Sequence, residues 1–133
     1  MRPYRIMLAD DHVLVRKGIR RILQEQVDLT VVGEAGDGLE LLELLQGDTP
    51  DLVILDISMP RLRGLEATKK IKELHPQVKV LILTMHRDQE YLTRAMSDGA
   101  DGYILKEDAD LSLYSAIETI RRGQTFISPI LSS

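Results

Sequence analysis

Five polar side chains of this 133-residue chain stand at or just behind the ends of short apolar runs. Asp10 and Asp11 follow Tyr4–Ala9, Asp56 follows Leu52–Leu55, Thr84 ends the run Val78–Leu83, and Lys106 follows Gly102–Leu105. Three carboxylates gathered at one place repel, and at least one would hold its proton unless a cation joined them. A hard divalent ion answers that problem. Magnesium prefers oxygen ligands, takes few of them from protein and leaves room for waters and phosphate oxygens. Beside such an ion a carboxylate such as Asp56 can attack phosphorus and form an acyl phosphate. Lys106 and the ion would neutralise the equatorial oxygens, and the Thr84 hydroxyl could donate to one of them. Every element of phosphoryl transfer is present except a donor.

These groups work together only if the chain brings them to one edge. The apolar runs Tyr4–Ala9, Leu29–Ala35, Leu52–Leu55, Val78–Leu83 and Gly102–Leu105 are continuous rather than alternating, which predicts strands buried on both faces of a mostly parallel sheet. Between them, stripes at helical spacing (Val15, Ile19, Ile22 and Leu23; Ala67, Ile71 and Leu74; Leu92, Ala95, Met96 and Gly99; Leu113, Ile117 and Ile120) predict amphipathic helices. Leu39–Leu45, nearly all Leu and Glu, reads as helix on propensity. Five strands alternating with five helices imply an α/β fold with a doubly wound parallel sheet. In such a sheet ligands sit beyond the carboxyl ends of the strands, where strand order reverses. All five polar groups belong to that rim. Pro76 is expected to end the third helix and Gly123 to cap the last. Residues 1–123 read as one domain, and the polar, Pro-interrupted 124–133 as the start of a linker.

Composition excludes much else. No cysteine is present, so a disulfide framework, a thiolate zinc site and a Cys nucleophile are out. A net charge of −4 argues against electrostatic nucleic-acid binding by these residues. No apolar run approaches the roughly 20 residues of a membrane span, and Met1-Arg2-Pro3-Tyr4 does not open a signal peptide. The expectation is a cytoplasmic domain without membrane contact.

The residues also match a family. Asp10-Asp11, then Asp56-Ile57-Ser58-Met59-Pro60 with Gly64, then Leu83-Thr84, then Gly102-Tyr103-Ile104-Leu105-Lys106 resembles the receiver domain of two-component response regulators, from about Tyr4 to Gly123. Leu83-Thr84-Met85-His86, the run from Ala100 to Glu107 and the ending Gly123–Pro129 resemble its LuxR/NarL-type branch most. The resemblance implies a flavodoxin-like sheet of receiver type, with Asp56 taking a phosphoryl group from a phosphohistidine of a sensor histidine kinase. It implies Mg2+ bound directly by Asp11, Asp56 and the Ser58 main-chain carbonyl, with Asp10 acting mainly through water. Lys106 would pair with the phosphoryl oxygens, and Thr84 and Tyr103 would form a switch pair. Ser58, Met85 and His86 flank the site as candidates for tuning the acyl-phosphate lifetime. The protein would be no enzyme beyond its own phosphorylation and dephosphorylation. Transcription would be controlled through a C-terminal helix-turn-helix domain absent from this chain, DNA would be met only there, and dimerisation on phosphorylation stays open.

One position departs from the pattern. Many receivers follow the lysine with a cis-proline, whereas Glu107 stands here and predicts a trans peptide. Plainer readings stand beside the sharp ones. Asp10-Asp11 could only cap a helix, Tyr103 could be an ordinary core aromatic, and His12 reads as a solvated or helix-terminal residue because the cluster's other ligands are hard oxygens. Arg16, Lys17, Arg20 and Arg21 read by default as a solvated basic face. A haloacid-dehalogenase-type phosphotransferase would place a DxD motif after its first strand, where this chain has adjacent aspartates. A flavin-binding module would find one Phe, four Tyr and no Trp to stack on.

Overall fold

The computed structural model describes residues 2–132. Successive strand residues point to opposite faces of a sheet, and here both faces are apolar. In the first strand, β1 (Tyr4–Ala9), Ile6 and Leu8 enter one core while Met7 and Ala9 enter the other. The same division runs through β2 (Leu29–Ala35), β3 (Leu52–Leu55), β4 (Lys79–Thr84) and β5 (Gly102–Leu105). Two faces to cover require two layers of helix. Ile19 and Leu23 of α1 (Val13–Gln24) and Leu113, Ala116, Ile117 and Ile120 of α5 (Ala109–Arg121) cover one. Leu41 and Leu45 of α2 (Gly38–Gly47), Ala67 and Ile71 of α3 (Gly64–Leu74), and Leu92 and Ala95 of α4 (Gln89–Ser97) cover the other.

All strand pairs are parallel, and the order is β2-β1-β3-β4-β5 followed by a further strand, β6 (Phe126–Ile127). Strand order reverses between β1 and β3, which carry Asp10 and Asp56 at their ends. The expected crevice is therefore where the acidic residues lie.

The count of five strands and five helices is corrected to six of each among the described residues, the last helix being α6 (Pro129–Ser132). The turn that makes this happen is a Schellman motif. Gly123, at φ +85°, donates to the Ile120 carbonyl and Gln124 to that of Thr119, a geometry that favours glycine. The chain then reverses, and Phe126 and Ile127 pair with Gly102 and Tyr103. A side chain at Gly102 would press within 2.8 Å of both Ile120 and Leu81 and 3.2 Å of the Phe126 carbonyl, so its bareness admits α5 and β6 together. The stretch read as linker thus packs on the sheet edge.

Candidate functional site

The sheet ladder runs one residue past its strands and fixes two aspartates by their backbones. Asp10 N–H donates to the Ala35 carbonyl and Asp56 N–H to that of Ala9, each at 3.1 Å. Both side chains are buried, Asp10 at 7% and Asp56 at 3% exposure, whereas Asp11 is exposed. Lys106, in a short 3-10 turn at 106–108 behind β5, reaches back between them, its Nζ 2.9 Å from Asp10 and 3.3 Å from Asp56 Oδ2. Burial by itself would lower the Lys106 pKa, but the bond to Asp10 and the charges of Asp56 and Asp10 together outweigh it and hold the ammonium above its ordinary value. The Lys106–Glu107 peptide is trans, as the missing proline predicts.

Three carboxylates against one ammonium leave two negative charges, the complement of a divalent cation. One ligand atom each from Asp10, Asp11, His12 and Asp56 falls within 4.8 Å of the others. The donor set is therefore fit to hold a metal ion. His12 is the N-cap of α1, and its Nδ1 lies 3.3 Å from Asp10 and 3.4 Å from Asp11. Its ring thus sits against the acidic pair while its side chain remains 60% exposed.

The loop behind Asp56 is tightly held. Gly64 N–H donates to the Ile57 carbonyl at 3.0 Å, and a Cβ on Gly64 would lie 2.1 Å from the Asp56 carbonyl oxygen. Only glycine lets α3 begin this close. Arg61 adopts φ +64°, a conformation that costs a non-glycine residue energy. Its guanidinium pairs with Asp37 at 2.6 Å, and Asp37 in turn caps α2 by accepting from Glu40 N–H at 2.8 Å. Ser58, exposed on this loop, places its Oγ 2.7 Å from His86 Nε2.

Thr84 is fully buried rather than sitting free at the rim, and its Oγ1 accepts from His86 N–H at 3.2 Å. Tyr103 is also fully buried, its ring turned inward, and its hydroxyl donates to the His86 carbonyl at 2.9 Å. Burial, with Asp88, Tyr91 and Asp56 adding, pushes the Tyr103 phenol far above its ordinary pKa. The two are joined through the main chain of one residue, His86, whose ring also tilts against Tyr91 with centroids 4.7 Å apart. Sequence reasoning placed His86 near the site but missed this bridge, because backbone groups leave no signature in residue type. A cleft of ≈320 Å³ lined by His12, Asp56, Ser58, Met85, His86 and Lys106 opens onto the phosphoacceptor candidate. Arg16 was missed too. Far from solvated, it donates to the carbonyls of Asp10 at 2.6 Å and Ala35 at 3.2 Å, and with Arg20 it pairs Glu34. An arginine read as surface therefore ties the end of β1 to that of β2.

The profile of the response regulator receiver domain matches residues 6–118. The oxygen regulatory protein NreC of Staphylococcus carnosus is 46% identical over 130 residues, 97% of this chain and 60% of NreC. The transcriptional regulatory protein DegU of Brevibacillus brevis is 41% identical over 125 residues, 93% of this chain and 52% of DegU. The chain therefore spans a little over half the length of these curated relatives. Among solved structures, a LuxR-family two-component response regulator from Aurantimonas sp. SI85-9A1 superposes with a TM-score of 0.94 at 38% identity, covering 98% of this chain and 93% of that one.

Proposed function

The chain belongs to the response regulator receiver domain family, and on that premise we propose that Asp56 is its phosphoacceptor and that the domain is a phosphorylation-driven switch. The observation that carries this reading is the Lys106 ammonium held between two buried carboxylates that fall at the strand-order reversal. An Asp56 carboxylate oxygen attacks phosphorus of a phosphohistidine on a sensor histidine kinase. The O–P bond forms, the N–P bond breaks, and the imidazole leaves with its electron pair and takes a proton. Lys106 balances the oxyanion charge, and its raised pKa keeps it cationic for that work. Mg2+ would be held directly by Asp11, Asp56 and the Ser58 carbonyl, and by Asp10 through water; when bound it neutralises charge on the transferring group.

The relay starts at Thr84. Turning its hydroxyl toward a phosphoryl group on Asp56 draws the His86 main chain in behind it, and the His86 carbonyl then holds the Tyr103 ring in the inward arrangement. A local charge change thereby biases a two-state element. Ser58, Met85 and His86 at the cleft set how readily water reaches the acyl phosphate. The domain acts on no substrate but itself. The name of DegU supports control of transcription, and the −4 charge argues against these residues making the DNA contacts themselves. Dimerisation on phosphorylation would serve the same end.

Incubation with acetyl phosphate and Mg2+, read by intact mass, tests the assignment. Wild type should gain one phosphoryl group, and Asp56→Asn none, since an amide is no carboxylate nucleophile. Uptake by Asp56→Asn at the wild-type rate contradicts it.

A further inference from the structure

The segment behind Gly123 contributes no side chain to the acidic cluster, yet its bonds converge on β5. Ile127 is paired with Tyr103, and the next residue, Ser128, is fully buried. Ser128 N–H donates to the Tyr103 carbonyl at 2.9 Å, and its Oγ accepts from Leu105 N–H at 3.0 Å. A single serine thus holds the main chain on either side of Ile104, one residue short of Lys106. Farther on, Leu131 N–H closes back on the Ser128 carbonyl at 2.9 Å, and the Leu131 carbonyl accepts from Gln89 Nε2 at the start of α4 at 3.3 Å. Ile127 and Leu131 pack against the same apolar cluster that contains the Tyr103 ring and, from α4, Leu92 and Ala95. Residues 126–131 therefore bridge β5 and α4 across the inward-turned tyrosine.

We propose that β6 and α6 form a strap whose docking on β5 and α4 is coupled to the phosphorylation state of Asp56, an inference that rests on the phosphoacceptor reading above. The coupling is steric and hydrogen-bonded. Withdrawing the Tyr103 ring takes away part of the wall on which Ile127 and Leu131 rest, and moving α4 pulls Gln89 from Leu131. Phosphorylation that fixes Thr84, His86 and Tyr103 in the ring-in arrangement secures the strap. By reciprocity the docked strap favours that same arrangement. The strap is thereby the path by which the state of β5 leaves the sheet edge.

Hydrogen–deuterium exchange of the full chain, with and without acetyl phosphate and Mg2+, tests this, with intact mass read on the same samples. The amides of Phe126, Ile127, Ser128, Ile130 and Leu131 should slow by about 5-fold or more on phosphorylation, the lower end of ordinary coupling between sites. Ser128→Ala leaves the Leu105 N–H without its acceptor, so the strap should exchange faster at rest and lose most of its response. Gln89→Ala cuts only an exposed tie and guards against a misfolded serine variant; it should weaken the response while leaving phosphoryl uptake unchanged. A phosphorylated protein in which residues 84–97 respond while the strap does not overturns the inference alone. So do wild-type responses in both variants. Absence of uptake by mass overturns the phosphoacceptor reading itself, and the strap inference with it.

Discussion

At the scale of single residues, the site is a charge arrangement that the fold tolerates rather than enjoys. Burying a carboxylate is costly unless it is paired, and Lys106 is shared between two of them. Asp56→Asn removes one buried charge and leaves Lys106 its shorter contact with Asp10. In chelator-treated buffer this variant should be more stable than wild type by about 1 kcal/mol in urea unfolding; a clear loss of stability would mean the cluster is not repulsive. Much of the site was legible because its chemistry resides in side-chain types behind apolar runs, as with Asp10, Asp56 and Lys106. Thr84 was placed in sequence but not in environment. Its burial follows from the ladder pairing with Leu105, which residue type does not reveal. The bridging role of His86 was hidden for the same reason: it acts through N–H and C=O.

At the scale of elements, two glycines of opposite kind make a paired prediction. Gly18, inside α1, has nothing within 4 Å of where its Cβ would stand. Gly18→Ala should therefore stabilise by about 0.5–1 kcal/mol, the ordinary helix preference. Gly64→Ala would drive a methyl against the Asp56 carbonyl and should destabilise by about 1–3 kcal/mol. Chemical denaturation of both variants checks the contrast, and equal effects would mean the approach of α3 to the Asp56 loop is loose. The opposite rim carries a pH dependence. Asp51 accepts from Arg5 N–H at 2.8 Å and pairs with Arg2 at 2.7 Å. Burial pushes its carboxyl up, but Arg2 and Arg5 together bring it below its ordinary pKa. A depressed folded pKa contributes stability that is present above the unfolded value near 3.9 and lost as pH falls through the folded one. Asp51→Ala should thus cost about 1 kcal/mol at neutral pH, allowing for solvent screening. Stability curves of wild type and variant should converge below about pH 4. Curves that stay parallel to pH 2 would contradict the shift. Strand boundaries were readable from the apolar runs at four of the five predicted strands. The first three strands and β5 fall on their runs, while β4 begins one residue late because Val78 N–H turns back to His75 instead of joining the ladder. Phe126–Ile127 escaped notice because two apolar residues carry no periodicity; the Gly123 turn was seen, but not that it leads back to the sheet.

At the scale of the whole molecule, the parallel sheet does two things at once. Its carboxyl ends gather Asp10, Asp56 and Lys106 over the buried Thr84 from four different strand ends, and its edge pairs Tyr103 with Ile127 of the strap. Among the described residues no helix is long and apolar enough to cross a membrane. The −4 charge leaves these residues poorly equipped to hold DNA by phosphate contacts. Everything turns on where a phosphoryl group goes. Wild-type protein treated with acetyl phosphate and Mg2+, then reduced with borohydride to convert an aspartyl phosphate to homoserine, can be mapped peptide by peptide. The account predicts homoserine at position 56 and at no other aspartate. Homoserine at position 10 or 11, or a phosphorylated protein without homoserine at 56, would contradict it.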